Sequence, residues 1–137
     1  MKTDAKELNI AAEIDKLPEV LTFIDQLLEE HDCPPKAQMQ IDIAVEELFV
    51  NIAHYAYPDG SGSVNIRTEI SELGAAITFT DSGIPYDPLK KPDPDITLAA
   101  EERQIGGLGI FMSKKLMDDI IYAYEDDKNI LTIKKSF

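Results

Sequence analysis

The chain has 137 residues, 44% of them hydrophobic and 28% charged, with a formal net charge of −13. That is the size and composition of one globular domain with its own core, and it excludes a disordered polymer. The negative charge argues against general nucleic-acid binding, because phosphate backbones would be repelled. No apolar run approaches the roughly 20 residues a membrane helix needs. The start, Met1-Lys2-Thr3-Asp4-Ala5-Lys6-Glu7, lacks the apolar stretch of a secretory signal. Cys33 is the single cysteine, so no intrachain disulfide can form and a cytoplasmic setting is expected.

Glu7 to Ile14 alternates well enough to predict a first strand. Leu17, Val20, Leu21, Ile24, Leu27 and Leu28 recur at helical spacing and predict a helix over Leu17–Glu30, with Pro18 tolerated in its first turn. His31-Asp32-Cys33-Pro34-Pro35 interrupts it. A long helix follows from about Pro35 to Ala56 and is stopped by Tyr57-Pro58-Asp59-Gly60-Ser61-Gly62. Ser63–Glu69 and Ala75–Thr80 read as a hairpin around Ser71-Glu72-Leu73-Gly74. A stretch bearing Pro85, Pro88, Pro92 and Pro94 comes next. A segment this long without regular structure suits a lid, expected over about 87–105, with a short helix near Ile96–Glu102. Gly106-Gly107-Leu108-Gly109 opens a helix to about Asp118. Ile120–Tyr124 and Ile130–Lys134 form a closing hairpin around Glu125-Asp126-Asp127-Lys128-Asn129. The expected fold is one α+β domain over 1–137: a two-layer sandwich, with a mixed, mostly antiparallel sheet and helices on one face.

Three places carry candidate chemistry. On the long helix, Ile41, Val45, Leu48, Ile52 and Tyr55 form a stripe expected to face the sheet, with Glu47, Asn51 and His54 on its flank. Glu47 and Asn51 are i,i+4 neighbours, and a carboxylate beside an amide oxygen suits a base and a hard ligand for Mg²⁺. Glu46 points about 100° away from Glu47. Asp81 ends a strand, where its carboxylate can accept from an adenine amine, and Gly83 leaves room for a ring to approach. Gly106, Gly107 and Gly109 open a helix whose first N–H groups lack partners, a natural phosphate cradle. Each signal alone also describes something bland: a solvated pair, an ordinary Asp-Ser-Gly turn, a flexible helix entry. Arg103, just before the glycines, is a candidate for the γ-phosphate or a solvated charge of the lid.

In this order the three form the pattern of a known superfamily. The sequence resembles the GHKL, or Bergerat-fold, ATPases: Glu47-Leu48-Phe49-Val50-Asn51 is similar to the N box, Asp81-Ser82-Gly83-Ile84-Pro85 to the first glycine box, and Gly106-Gly107-Leu108-Gly109-Ile110 to the second. Within it, the run from Glu47 through Asn51-Ile52-Ala53-His54-Tyr55-Ala56-Tyr57, and Lys115-Leu116-Met117-Asp118 after the glycines, most resemble the small bacterial anti-sigma-factor serine/threonine kinases. The resemblance implies ATP or ADP bound with Mg²⁺. Asn51 would hold the Mg²⁺, Glu47 would act as base, Asp81 would read the adenine amine, Gly83 would line the ring, and Gly106, Gly107 and Gly109 would donate to the phosphates. His54 is expected to be a structural hydrogen-bonding residue.

Two functions remain open. One is a protein serine/threonine kinase whose partner, by resemblance, is a STAS-type anti-anti-sigma protein, and which in another nucleotide state holds a sigma factor. The other is an ATP-binding module that sequesters a partner with little transfer. Glu47 favours the first, because a pure switch needs no base. Kinases of this branch are often dimers, so the resemblance extends to a homodimer. No direct nucleic-acid or membrane contact is expected.

Overall fold

Along Ser63–Ser71 (β2) and Gly74–Asp81 (β3) every second side chain is buried: Val64, Ile66, Thr68 and Ile70 on one strand, Ala75, Ile77, Phe79 and Asp81 on the next. A period of two is what a strand with one covered face requires. The computed structural model, which describes residues 3–58, 60–90 and 107–137, joins these strands to β1 (Asp4–Ala11), β4 (Asp119–Glu125) and β5 (Lys128–Ser136) in the order β1-β2-β3-β5-β4. All four pairings are antiparallel, so the sheet is antiparallel throughout rather than mostly so. The reason is topological. The connection from β3 to β4 leaves those two strands parallel, but β5 folds back into the space between them and pairs with both.

Strand limits follow pairing rather than local pattern. The first strand occupies Asp4–Ala11, not Glu7–Ile14, because it pairs with β2 from Ile70 to Ser63. Ile14–Lys16 is a 3₁₀ turn instead. At the far edge, Asp126 and Asp127 have φ of 53° and 61°. They form a two-residue turn between Glu125 and Lys128, with both residues in the left-handed region that Asp tolerates. Asn129, read from sequence as part of that turn, therefore belongs to β5.

The helices are α1 (Leu17–Glu30), α2 (Pro35–Tyr55) and α3 (Gly107–Leu116). Proline stands in the first turn of α1, as Pro18, and opens α2, as Pro35, where its missing N–H has no partner to lose. Asp32, at φ 56°, ends α1: its N–H donates to Glu29 O at 3.2 Å and that of Cys33 to Leu28 O at 3.0 Å, the pattern of a left-handed helix cap. Helix α2 packs against both α1 and α3, so it buries more than one stripe, Ala37, Ala44 and Phe49 as well as Ile41, Val45, Leu48 and Ile52. Phe49 and Phe79 are fully buried beside Ile24, Leu28, Ile77 and Ile133, each contributing roughly 1.5–3 kcal/mol of burial. Cys33 is buried, with its Sγ on Pro34 O. Among the described residues no helix is long and apolar enough to cross a membrane. The expected helix at Ile96–Glu102 and most of the expected lid lie outside the described residues.

Where α1 meets α2, Asp25 and Asp42 face one another, and each has an Oδ1 shielded from water with no donor among the described residues. Two charges there repel one another, so Asp42 keeps its proton well above the ordinary carboxylate range and gives it to Asp25 in a hydrogen bond. Burial pushes Asp42 up to about 8, helped by its hydrogen bond to Asp25 and by the charges of Asp25 and Glu29. In the unfolded chain it titrates near about 4. The protonated pair's contribution to stability is therefore whole below about pH 4 and is lost as pH rises through the folded value. Asp42→Asn keeps a donor for Asp25 at every pH. Its Tm should match wild type near about pH 4 and exceed it by a few degrees near about pH 9, about 1 kcal/mol after screening at this half-exposed position. A Tm difference that stays constant across this range would rule out the shared proton.

Candidate functional site

On the helix-covered side of the sheet Ile77 faces Ile133 and Phe79 faces Leu131; one step further along the same rows Asp81 faces Asn129. Alternation leaves these two no other side, and each is only 5% exposed. Buried polar groups need partners. Asp81 Oδ1 accepts the N–H of Gly83 at 2.9 Å and an amide hydrogen of Asn129 at 2.9 Å. The Asn129 amide also donates to Ile84 O at 2.8 Å, and its Oδ1 accepts from Tyr86 N at 3.1 Å and from the Tyr122 hydroxyl. Asp81 Oδ2 accepts nothing from the described residues.

Asp81 lies at the wall of a pocket of about 390 Å³, open mouth included, between the C-terminal half of α2 and the ends of β3 and β5. Leu48, Ile52, Tyr86 and Leu131 give it apolar walls, and Asn51 shares it with Asp81. Asn51 is buried, and its Nδ2 has no partner among the described residues. An unmet buried donor costs about 1–3 kcal/mol, and none of the described residues meets this one. Tyr55, expected on the core stripe, is instead half-buried at the pocket and stacks on Tyr86, with centroids 5.2 Å apart and planes 19° apart. His54 is exposed and has no hydrogen bond among the described residues, so the structural role expected for it is not met; its ring meets Tyr55 edge-on at 5.9 Å.

Glu46 is exposed and Glu47 half-buried, the divergence that helical geometry dictates. Burial, and secondarily the charge of Glu46, raise the Glu47 carboxyl above the ordinary carboxylate range. Glu47 stands one turn before Asn51 and is not among the described walls of the pocket. Gly83 has a structural task besides the one read in sequence. A Cβ there would lie 2.2 Å from Ala56 O, and the next residue, Ile84, donates its N–H to that same oxygen at 2.9 Å. The Cβ direction is taken by the end of α2. Gly107 and Gly109 lie in the first turn of α3, which packs on α2. Gly106 and Arg103 lie outside the described residues.

No group of three or more His, Cys, Asp or Glu side chains among the described residues is arranged to hold a metal. Mg²⁺ is commonly held by one or two protein oxygens together with water and substrate phosphates. A single buried amide such as Asn51 fits that mode. Sequence reasoning missed Asn129, Tyr86 and Tyr122. For Asn129 a signal existed: counting back in twos from Ile133 and Leu131 puts a polar residue at a core position of β5.

Comparison with known proteins identifies the family. Residues 10–135 match the family described as histidine kinase-like ATPase domain. The serine/threonine-protein kinase BtrW of Bordetella bronchiseptica is 21% identical over 133 residues, covering 96% of this chain and 92% of that protein. The serine-protein kinase RsbW of Bacillus cereus strain B4264 is 32% identical over 96 residues, 67% of this chain but only 60% of that protein. The crystal structure of the RsbU and RsbW domains of Rv1364c from Mycobacterium tuberculosis superposes with a TM-score of 0.68 at 14% identity, over 96% of this chain and 32% of that one; at that identity the likeness is one of fold. The chain belongs to the histidine kinase-like ATPase domain family, the GHKL group met in the sequence.

Proposed function

We propose that this chain is a serine/threonine protein kinase that moves the γ-phosphate of ATP to a hydroxyl of a small STAS-type anti-anti-sigma protein, and so acts as an anti-sigma regulator in the cytoplasm. The observation that carries this reading is the shared pocket of Asp81 and Asn51. An apolar slot with one carboxylate oxygen awaiting a donor suits a flat base bearing an exocyclic amine. Asn51 would hold Mg²⁺ through its amide oxygen, and the bound cation would neutralise phosphate charge. Gly107 and Gly109, in the opening turn of α3, would present N–H groups to the phosphates. Gly106 and Arg103 join them on sequence grounds, as do the sigma factor and a homodimer as partners.

Glu47 is the base in this reading. Its raised proton affinity brings it nearer the working pH, where a general base is most effective. It would take the proton of the attacking hydroxyl while the glycines and Asn51 hold the phosphates in line. An ATP-holding module without transfer would need no half-buried carboxylate at this point.

Asp81→Asn should weaken ATP binding roughly 10- to 100-fold in calorimetry, because the turned amide can offer a donor where an acceptor is needed. Unchanged affinity would remove Asp81 from the site. Glu47→Gln should bind nucleotide nearly normally and lose roughly 10²-fold or more in single-turnover transfer to a STAS-type protein. Glu46→Gln should transfer well at neutral pH. Removing its charge lowers the proton affinity of Glu47, so the acid limb of kcat/KM should move to lower pH. If Glu46→Gln is inactive and Glu47→Gln active, the assignment of the base is wrong. Tight ATP binding by wild type with no transfer would favour the sequestering module.

A further inference from the structure

Asn129 is the best-tied polar side chain at the pocket. It is buried opposite Asp81, and four hydrogen bonds use both its amide nitrogen and its oxygen. Two of these fix the Ile84–Tyr86 turn, through Ile84 O and Tyr86 N. That places the Tyr86 ring against Tyr55 as part of the pocket wall. A third occupies Asp81 Oδ1, which Gly83 N–H also fills. The carboxylate is thereby held from one side, with Oδ2 as its remaining acceptor.

We propose that Asn129 is a positioning residue that gives the pocket its choice between purines. It does so by locking Asp81 so that one acceptor, in one place, meets the base. This deepens the reading of the pocket as an ATP site and rests on it. The chemistry is direct. A 6-amino purine brings an N–H to a fixed Oδ2, whereas a 6-oxo purine brings a carbonyl lone pair to the same point and is repelled. A 6-oxo purine also carries an N1–H beside that carbonyl. A carboxylate free to turn could swing to accept it, so discrimination depends on preventing the turn. Sites built around a buried hydrogen-bonding group reject a mismatched ligand strongly because that group is left unpaired. Asp81 alone does not ensure this, since its Gly83 bond constrains one oxygen from the turn side only.

The test is titration of the full chain with ATP and with inosine triphosphate, which differ at position 6 and N1. Wild type should prefer ATP by roughly tenfold or more. In Asn129→Leu that preference should shrink by roughly tenfold. A merely structural role would lower Tm and weaken both nucleotides in proportion, leaving the ratio unchanged. Tyr122→Phe removes one bond to Asn129 Oδ1 without emptying the core, and should move the ratio the same way by less. It decides the matter if Asn129→Leu does not fold. An unchanged ratio in the folded variants would overturn the inference and leave the ATP site standing. A wild type that binds neither nucleotide would instead sink the site reading, and this inference with it.

Discussion

The site depends on register. Asp81 and Asn129 face each other because Phe79 pairs with Leu131 and Ile77 with Ile133, two apolar pairs on the same buried side. A slip of one residue would turn the whole row to the opposite face, exposing the apolar pairs and pulling the carboxylate out of its pocket. The hydrophobic rows therefore enforce the position of the polar pair. The short Asp126-Asp127 turn adds to this by fixing where β5 begins against β4. Asp81 is thus held at the pocket by the same interactions that hold the sheet.

The second constraint joins helix to strand. Asn51 rides on α2 and Asp81 on β3, so a working pocket needs those elements in fixed relation. The end of α2 is clamped to the turn after Asp81 by the Ile84 N–H on Ala56 O and by Tyr57, whose hydroxyl donates to Ser63 O and accepts Ser82 N–H. Gly83 lets the turn approach, since a side chain there would collide with the helix end, and Gly62 leaves room for the Tyr57 ring in the same way. The glycine of the Asp-Ser-Gly motif thus acts on the joint between layers, and its influence on the pocket runs through α2.

Much of this was legible in the sequence where local periodicity matches the tertiary environment. The Leu17–Glu30 helix is found with the expected limits because one face of α1 is buried and its apolar residues recur at helical spacing. Asp81, Asn51 and Glu47 could be picked out because they sit in recognisable spacings, and the structure brings Asn51 and Asp81 to one pocket. What escaped was non-local. The start of β1 is set by pairing of Asp4 with the distant Ile70 rather than by its own alternation. Asn129 looked like turn residue because Asp, Lys and Asn cluster there, and only the left-handed geometry of Asp126 and Asp127 moves it into the strand. The shared proton of Asp25 and Asp42 needs two helices to meet, which no single segment announces.

These features divide the polar interior into two kinds. The Asp25–Asp42 pair has no outside donor among the described residues at its shielded oxygens, and below about pH 8 the proton of Asp42 serves both members, a solution that is internal to the fold. Asn51 and Asp81 are not closed in this way. One has a donor with no acceptor and the other an acceptor oxygen with no donor among the described residues. Folding alone gives no reason to keep both, since each costs stability that an apolar residue of similar shape would not. The large apolar burial around Phe49 and Phe79 tolerates that loss. Among the described residues neither group has a protein partner to give up at these atoms, so a ligand meeting them there would spend little of its binding energy on rearrangement. In a chain of net charge −13, which repels a polyanion at long range, such local readiness would favour the nucleotide proposed for this pocket.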